Sequence, residues 1–338
     1  MKRHASPEPP HPKTIPILVH ESQFPGNVRR ELLKSLEDRR INHKFHYDSA
    51  KQTVKWLALH ELLSPFRRDP DCARIYEESF SFIARTIPSR RVLVVGIGCG
   101  GGQKDTELLR RLQAEGKQVV YVPVDVSTPM VIVAAQTAQT VVSPNDCHPV
   151  VLDLGTTDDL AAVISSVSDD DTPRLVTFFG MIPNFEPQSV LPRLAAALRK
   201  DDWLAFSANL SPGTDYQAGT EFVLPQYDNA PTREWLLTLL YDMGFEPDDG
   251  NVRFGVENPP ERSDLFRIVA HFDLTRDRVI QVDNSKFQFR SGESIRLFYS
   301  FRYTPERLRA LLAKFGLKVI EANISKSQEE GVFVCRRD

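Results

Sequence analysis

Five of the seven residues from Gly96 to Gly102 (Gly96-Ile97-Gly98-Cys99-Gly100-Gly101-Gly102) are glycine, directly after the apolar run Val92-Leu93-Val94-Val95. A Cβ in such a turn would fill the space of a bound molecule, so the glycines let the backbone approach one closely. GxGxG and GxGxxG are both satisfied, and the motif alone does not choose between the nucleotide ligands those spacings serve. Asp125 closes the next apolar run, Val119–Val124. A carboxylate there can accept both ribose hydroxyls of an adenosine. Asp153 ends a third run, Pro149–Leu152, and stands either at the ligand or in a turn ahead of Gly155. Asn184 follows Phe178-Phe179-Gly180-Met181-Ile182-Pro183. Its carboxamide offers one acceptor and one donor group, suited to orienting a polar substrate or to holding a turn.

Strands and helices must alternate to bring these residues together. Arg91–Val95, Val119–Val124, Pro149–Leu152, Leu175–Phe179 and Trp203–Ala208 read as strands. Asp105–Glu115, a helix from Ser127 or Thr128 to Gln139, Leu160–Val167 and Val190–Leu198 read as the helices between them. This pattern predicts an α/β fold with a doubly wound, Rossmann-like parallel sheet. In such a sheet the strands' carboxyl ends border the ligand crevice, where Asp125, Asp153 and Asn184 all fall. After Ser211-Pro212-Gly213 the pattern becomes a helix (Arg233–Met243) and four strands with short turns, at Leu265–Phe272, Arg278–Val282, Lys286–Phe289 and Ile295–Phe301. A second, α+β domain is expected from these residues. Thr304-Pro305-Glu306 opens a helix, and Leu317–Asn323 with Gly331–Arg336 reads as a terminal hairpin. Ahead of the sheet, Lys44-Phe45-His46-Tyr47-Asp48 interleaves aromatic and polar residues, which suits a site wall or a loop leading into a helix capped by Asp48 or Ser49.

The chain has 338 residues, 41% of them hydrophobic, enough for a sizeable core. Its 42 basic and 45 acidic residues nearly balance, which gives no support to a nucleic-acid or membrane-surface partner. Cys72, Cys99, Cys147 and Cys335 show no CxxC or Cys/His spacing, so free thiols in a reducing compartment are expected. His43, His46 and His60 are not spaced as a metal set, and no metal is expected. No apolar run has membrane-spanning length and the N-terminus lacks a signal-peptide core, so a cytoplasmic protein, monomeric by default, is expected. The first 19 residues, with Pro7, Pro9, Pro10, Pro12 and Pro16, read as a disordered tail.

One order of motifs runs along the chain: Lys44–Asp48, the glycine turn with Lys104, Asp125-Val126-Ser127, and Phe178-Phe179-Gly180 with Asn184. Gln226-Tyr227-Asp228-Asn229 and Gly292-Glu293 through Ser300 to Tyr303-Thr304-Pro305-Glu306 follow. Over residues 28–338 this order resembles the histidine-specific S-adenosylmethionine methyltransferase family. That family includes the histidine Nα-methyltransferase of ergothioneine biosynthesis and the fungal dimethylallyltryptophan N-methyltransferases. The resemblance implies a methyltransferase domain (65–211 and 304–338) and a substrate domain (20–64 and 212–303), with S-adenosylmethionine as cofactor. By position, Gly96, Gly98, Lys104, Asp125 and Asp153 would hold the methyl donor. Tyr47, Asn184 and Tyr227 would hold the amino and carboxylate groups of an amino-acid substrate, with Ser300 beside its side chain. Tyr47 would also act in catalysis, orienting the amine and relaying its proton.

The departures from the family pattern concern the pocket. Two extra residues separate Gly98 from Lys104, and Pro183 precedes the Asn184 position. Histidine methylators carry a Glu two residues before the position of Ser300; this chain has Phe298. A phenyl ring cannot accept an imidazole N–H, so an apolar or aromatic substrate side chain is expected, and Phe266 leans the same way. The expected activity is N-methylation of an amino acid or amino-acid-derived small molecule. Alternatives are a histidine Nα-methyltransferase with a shifted acidic contact, and a non-catalytic ligand-binding protein on the same fold. A nicotinamide oxidoreductase also satisfies the glycine motif, but the terminal hairpin and the lack of a Tyr-x-x-x-Lys set speak against it.

Overall fold

A computed structural model describes residues 14–167, 172–259 and 264–337. Most of the expected tail, Met1 to Lys13, lies outside the described residues. Its last part is not a free tail. Leu18–Val19 forms a strand, β1, with the Leu18 N–H on the Pro149 carbonyl and the His20 N–H on that of Val151. The other strands are β2 (Arg91–Ile97), β3 (Gln118–Asp125), β4 (Val150–Val151), β5 (Arg174–Phe179) and β6 (Trp203–Asn209). Then follow β7 (Gly250–Glu257), β8 (Arg267–Leu274), β9 (Arg278–Val282), β10 (Ser285–Phe289), β11 (Ser294–Phe301), β12 (Leu317–Ile324) and β13 (Glu330–Arg337).

The main sheet has eight strands in the order β1-β4-β3-β2-β5-β6-β13-β12, parallel from β1 to β6. The terminal hairpin adds β13 antiparallel to β6, with β12 at the edge. Val92 to Val95 are all fully buried, as a parallel strand covered on both faces requires. One covering layer uses the Pro70–Thr86 and Gln103–Ala114 helices through Ile75, Tyr76, Phe80, Leu108 and Leu109. The other uses Pro187–Ala197 and Pro305–Ala313 through Val190, Leu194, Leu308 and Leu312. The sequence changes direction between β2, which leads to β3 and β4 on one side, and β5, which leads to β6 on the other. A crevice opens at that switch point.

A second apolar core joins the sheet β11-β8-β7, the β9–β10 hairpin and the Pro25–Glu37 and Ala230–Asp242 helices. Its members include Leu36, Trp235, Phe245, Phe272, Phe289 and Ile295. Two of its neighbouring elements were absent from the sequence expectation, β7 and the helix Tyr216–Val223. The strand expected at Leu265–Phe272 begins two residues later, at Arg267, which leaves Phe266 outside it. Ser49 caps the Ala50–Leu63 helix reciprocally with Gln52, and Ser127 caps Thr128–Ala138. Among the described residues no helix is long and apolar enough to cross a membrane.

Candidate active site

The crevice is a cavity of about 590 Å³. The glycine turn, the ends of β3 and β4, the loop after β5, the Ala50–Leu63 helix and β11 all contribute to its wall. Gly98 lines it with φ +63°, and a Cβ there would stand 2.6 Å from Met181 Cγ. Gly96 does not line the cavity. Its missing Cβ makes room for Asp105, whose Oδ2 would be 2.2 Å away. Asp105 accepts 2.7 Å hydrogen bonds from the Tyr121 and Thr177 hydroxyls. Gly96 therefore serves close packing under the turn, behind the glycines that border the cavity.

Asp125 does line the cavity, at 9% exposure. Its carboxylate accepts the Gly100 N–H at 3.1 Å and the Ser127 N–H at 3.0 Å. Burial pushes its pKa up to about 6 against the pull of these amides. Asp153 is in the wall as well, but its oxygens already have partners. Lys44 Nζ donates to one at 3.0 Å and the Gly155 N–H to the other at 2.8 Å. Lys44 also reaches Glu31 at 2.7 Å. Burial alone would pull this ammonium's pKa down, but the two carboxylates outweigh it and raise it. Lys104 is likewise engaged: its Nζ donates to the Tyr76 hydroxyl at 2.6 Å and lies 3.9 Å from Glu330. Glycine cradle, cavity and acceptor carboxylate fit an adenosine-bearing ligand, because each offers space or lone pairs toward the same opening. Gly98 and Asp125 would hold it, while Asp153 and Lys104 would have to share groups the protein already uses.

Tyr47, Asn184, Tyr227, Phe298 and Ser300 come to the same cavity. Tyr47 packs edge-on to Trp56 and against Trp235, at 5.8 and 5.5 Å between ring centroids. Its hydroxyl and the Asn184 carboxamide take no hydrogen-bond partner among the described residues. Burial and the Asp125 carboxylate both raise the Tyr47 pKa, which keeps the phenol protonated at neutral pH. The Tyr227 hydroxyl is held on three sides. Arg302 donates to it at 2.7 Å and Asn209 at 3.1 Å, and Ser300 Oγ lies 3.3 Å away. A β-bulge at Leu297 shifts the β11 register. Leu297 stays in the core, while Phe298, Tyr299 and Ser300 all border the cavity. The Phe298 ring is 5.0 Å from the His43 ring, nearly parallel to it, and 5.9 Å from that of Tyr227.

Phe266 is not brought to this site. It precedes β8 and packs edge-on against Tyr216 at 5.1 Å, and its N–H donates to the Tyr216 hydroxyl. Sequence reasoning also missed Trp56, Trp235 and Asn209 in the wall. Asn209 carried a usable signal, because it ends β6 as Asp125 ends β3. Trp56 and Trp235 carried none beyond being aromatic residues on helices. Among the described residues no cluster of three or more His, Cys, Asp or Glu side chains could hold a metal ion.

No curated protein sequence matches the chain. Similar solved structures include the CcbJ methyltransferase from Streptomyces caelestis, at 14% identity over 78% of this chain and 89% of that one, TM-score 0.38. The sugar N-methyltransferase KedS8 from Streptoalloteichus sp ATCC 53650 is 14% identical over 82% and 92%, TM-score 0.40. The Burkholderia thailandensis 1,6-didemethyltoxoflavin-N1-methyltransferase, bound to 1,6-didemethyltoxoflavin and S-adenosylhomocysteine, is 13% identical over 85% and 88%, TM-score 0.41. Residues 28–337 match the family described as histidine-specific methyltransferase, SAM-dependent, and the chain belongs to it.

Proposed function

We propose that this S-adenosylmethionine-dependent methyltransferase methylates the amino nitrogen of an amino acid, or of a small molecule derived from one, with a flat apolar or aromatic side chain. One observation carries the reading: the free polar groups of Tyr47 and Asn184, the held hydroxyl of Tyr227 and the ring of Phe298 share one cavity with Gly98 and Asp125. The separate apolar core supports assigning residues 20–64 and 212–303 to substrate binding. The four free cysteines suit a reducing, cytoplasmic setting.

S-adenosylmethionine, when bound, supplies a methyl group already activated as a sulfonium. The protein's task is then to position a neutral amine in line with it. Asn184 and Tyr227 orient the substrate's amino-acid group. Tyr47, kept as a neutral phenol, accepts a hydrogen bond from the amine and passes its proton toward water. It does not act as a tyrosinate. Aromatic faces at Tyr47, Trp56 and Trp235 suit the cationic ammonium product.

A second reading, histidine Nα-methylation, draws support from Glu186, a carboxylate in the same wall. Glu186 lies 3.4 Å from Arg267, however, so the imidazole would compete for it. Calorimetry with S-adenosylmethionine, S-adenosylhomocysteine and NAD tests the donor site; binding of NAD alone would sink the methyltransferase site assignment. Labelled donor with a panel of histidine, tryptophan, tyrosine and phenylalanine tests the acceptor. Methyl transfer to the aromatic members is expected, and strong preference for histidine selects the second reading.

A further inference from the structure

Arg296 and His43 stand beside Phe298 and have no use in the reaction as described. Arg296 lines the cavity two residues before the ring. Its Nε is buried without a hydrogen-bond partner among the described residues. Its guanidinium makes no hydrogen bond to a carboxylate or carbonyl among the described residues; its central carbon lies 4.9 Å from the Tyr299 ring, and the Glu186 carboxylate acts on it only through space. The residue as a whole is half-buried, but a buried N–H without an acceptor is costly, and a ligand that brings one relieves that cost.

His43 adds a second unfilled donor. The Tyr299 backbone N–H can only donate, and it points at His43 Nε2 at 3.1 Å. Nε2 is therefore the acceptor, and in the neutral ring the proton sits on Nδ1. That Nδ1 is buried and has no partner among the described residues. Burial, then the nearby His46, Arg296 and Arg267, keep the ring neutral by pulling its pKa well below the ordinary value. The surrounding charge has the same sign preference. Arg40 and Arg296 line this end of the cavity, and Arg267 lies close. Lys44 is consumed by Glu31 and Asp153, and Glu186 is drawn to Arg267.

Position along β11 gives the order of contacts. Arg296, Phe298 and Ser300 follow one another along β11, and the bulge at Leu297 sets Arg296 and Phe298 against consecutive β8 residues, His271 and Ala270, so Arg296 is the next wall position beyond the ring. A substrate with its amino-acid group at Tyr227 and Asn184, and its ring on Phe298, would extend its far end toward Arg296. We propose that this end of the cavity is an anion subsite, in which Arg296 and His43 receive a negatively charged group at the distal end of an aromatic, amino-acid-like substrate. The inference rests on the amino-acid reading above and sharpens it: the preferred acceptor is an aromatic amino acid that carries an acid.

The test uses the full-length protein saturated with S-adenosylhomocysteine and three calorimetric probes: L-phenylalanine, 4-carboxy-L-phenylalanine and 4-aminomethyl-L-phenylalanine. The carboxylated probe should bind at least about tenfold more tightly than phenylalanine, the size expected of one charge-assisted hydrogen bond. The cationic probe should bind most weakly. Arg296→Met should erase the carboxylate advantage while phenylalanine still binds, and Arg296→Lys should keep part of it. Equal affinities for the three probes, or preference for the cation, overturns the anion subsite and leaves the amino-acid reading standing. Binding of none of the three overturns both. The wild-type panel decides even if a variant fails to fold.

Discussion

The Lys104 ammonium donates a 2.6 Å hydrogen bond to the Tyr76 hydroxyl, which in turn donates to Glu330. The pairing ties the first helical turn after the glycines to the start of β13. It also spends the cation that the family resemblance assigns to the methyl donor. Lys104→Met should therefore change S-adenosylhomocysteine affinity less than about threefold, under 1 kcal/mol. It should lower unfolding free energy by about 1–3 kcal/mol, because the partly buried Tyr76–Glu330 pair loses its cation. Calorimetry and denaturant unfolding measure the two effects. A loss of affinity as large as that of an Asp125 variant would show that Lys104 leaves Tyr76 for the donor.

Donor affinity should depend on pH through Asp125. Burial raises its pKa to about 6 from an ordinary 3.8, so the protonated form gains in the folded protein. Ribose hydroxyls need the ionised form as acceptor, so S-adenosylhomocysteine affinity should fall as pH drops through about 6. Stability has the opposite sign. The folded state binds the extra proton, so this group's contribution is present at low pH and is lost as pH rises through about 6. Asp125→Asn should weaken binding about tenfold to a hundredfold and flatten its pH profile between about pH 5 and 8. A slope that persists in the variant assigns the titration to another group.

Tyr47→Phe separates chemistry from binding. The hydroxyl has no partner among the described residues, so its loss leaves none of their groups unsatisfied. Methyl transfer should slow by about a hundredfold, the low end for loss of a proton-handling group. S-adenosylhomocysteine affinity should stay within about threefold. Single-turnover transfer from labelled donor, beside calorimetry, reads the two quantities, and an equal loss of both would remove Tyr47 from catalysis.

The alternating half of the fold was legible because its strands are buried on both faces and its helices on one. Val92–Val95 is apolar at every position, and Leu108, Leu109 and Leu112 recur at helical spacing. The missed strand β7 buries Val252 alone among its eight residues, so it carries little apolar signal. The missed helix Tyr216–Val223 contains Gly219, where a Cβ would stand 2.1 Å from the Pro212 carbonyl oxygen. A glycine that tertiary packing demands hides a helix from propensity. At the site, Asp125 was readable from its place at the end of β3, and Asn184 from the loop that follows β5. The bulge at Leu297 was not, because no residue type marks it and the alternation of Ile295, Leu297, Tyr299 and Phe301 runs straight through it. The engagement of Asp153 with Lys44, 109 positions away in sequence, is also a tertiary fact without a local trace.

Gly96 gives a stability prediction distinct from the ligand. A Cβ at this position meets Asp105 Oδ2 at 2.2 Å and the Tyr121 hydroxyl at 2.9 Å, which are joined to each other by a hydrogen bond. Gly96→Ala should cost about 1–3 kcal/mol, as overpacking of a tight core does. Asp105→Asn in the same background relieves charge but not volume, so it should not restore stability. Denaturant unfolding of the single and double variants tests this, and full rescue by the second change would mean that charge, not space, sets the constraint.

Phe298→Glu tests what the pocket floor selects. The ring now stacks on His43 at 5.0 Å, with Arg296 two residues earlier on the strand. An introduced carboxylate finds two donors nearby, so it can be accommodated as a paired charge despite its burial. It also supplies the acceptor that a substrate imidazole N–H needs. The ratio of labelled methyl transfer to histidine over phenylalanine should rise at least about tenfold. Affinity for a carboxylated aromatic probe should fall, because the new anion occupies Arg296 and repels a second one. Phe298→Leu serves as control: it keeps the floor apolar and should leave the histidine-to-phenylalanine ratio within about threefold of the starting value. Thermal unfolding of both variants establishes that they fold. A ratio that moves equally in both would show that the size of the ring, rather than the absence of a carboxylate, excludes histidine.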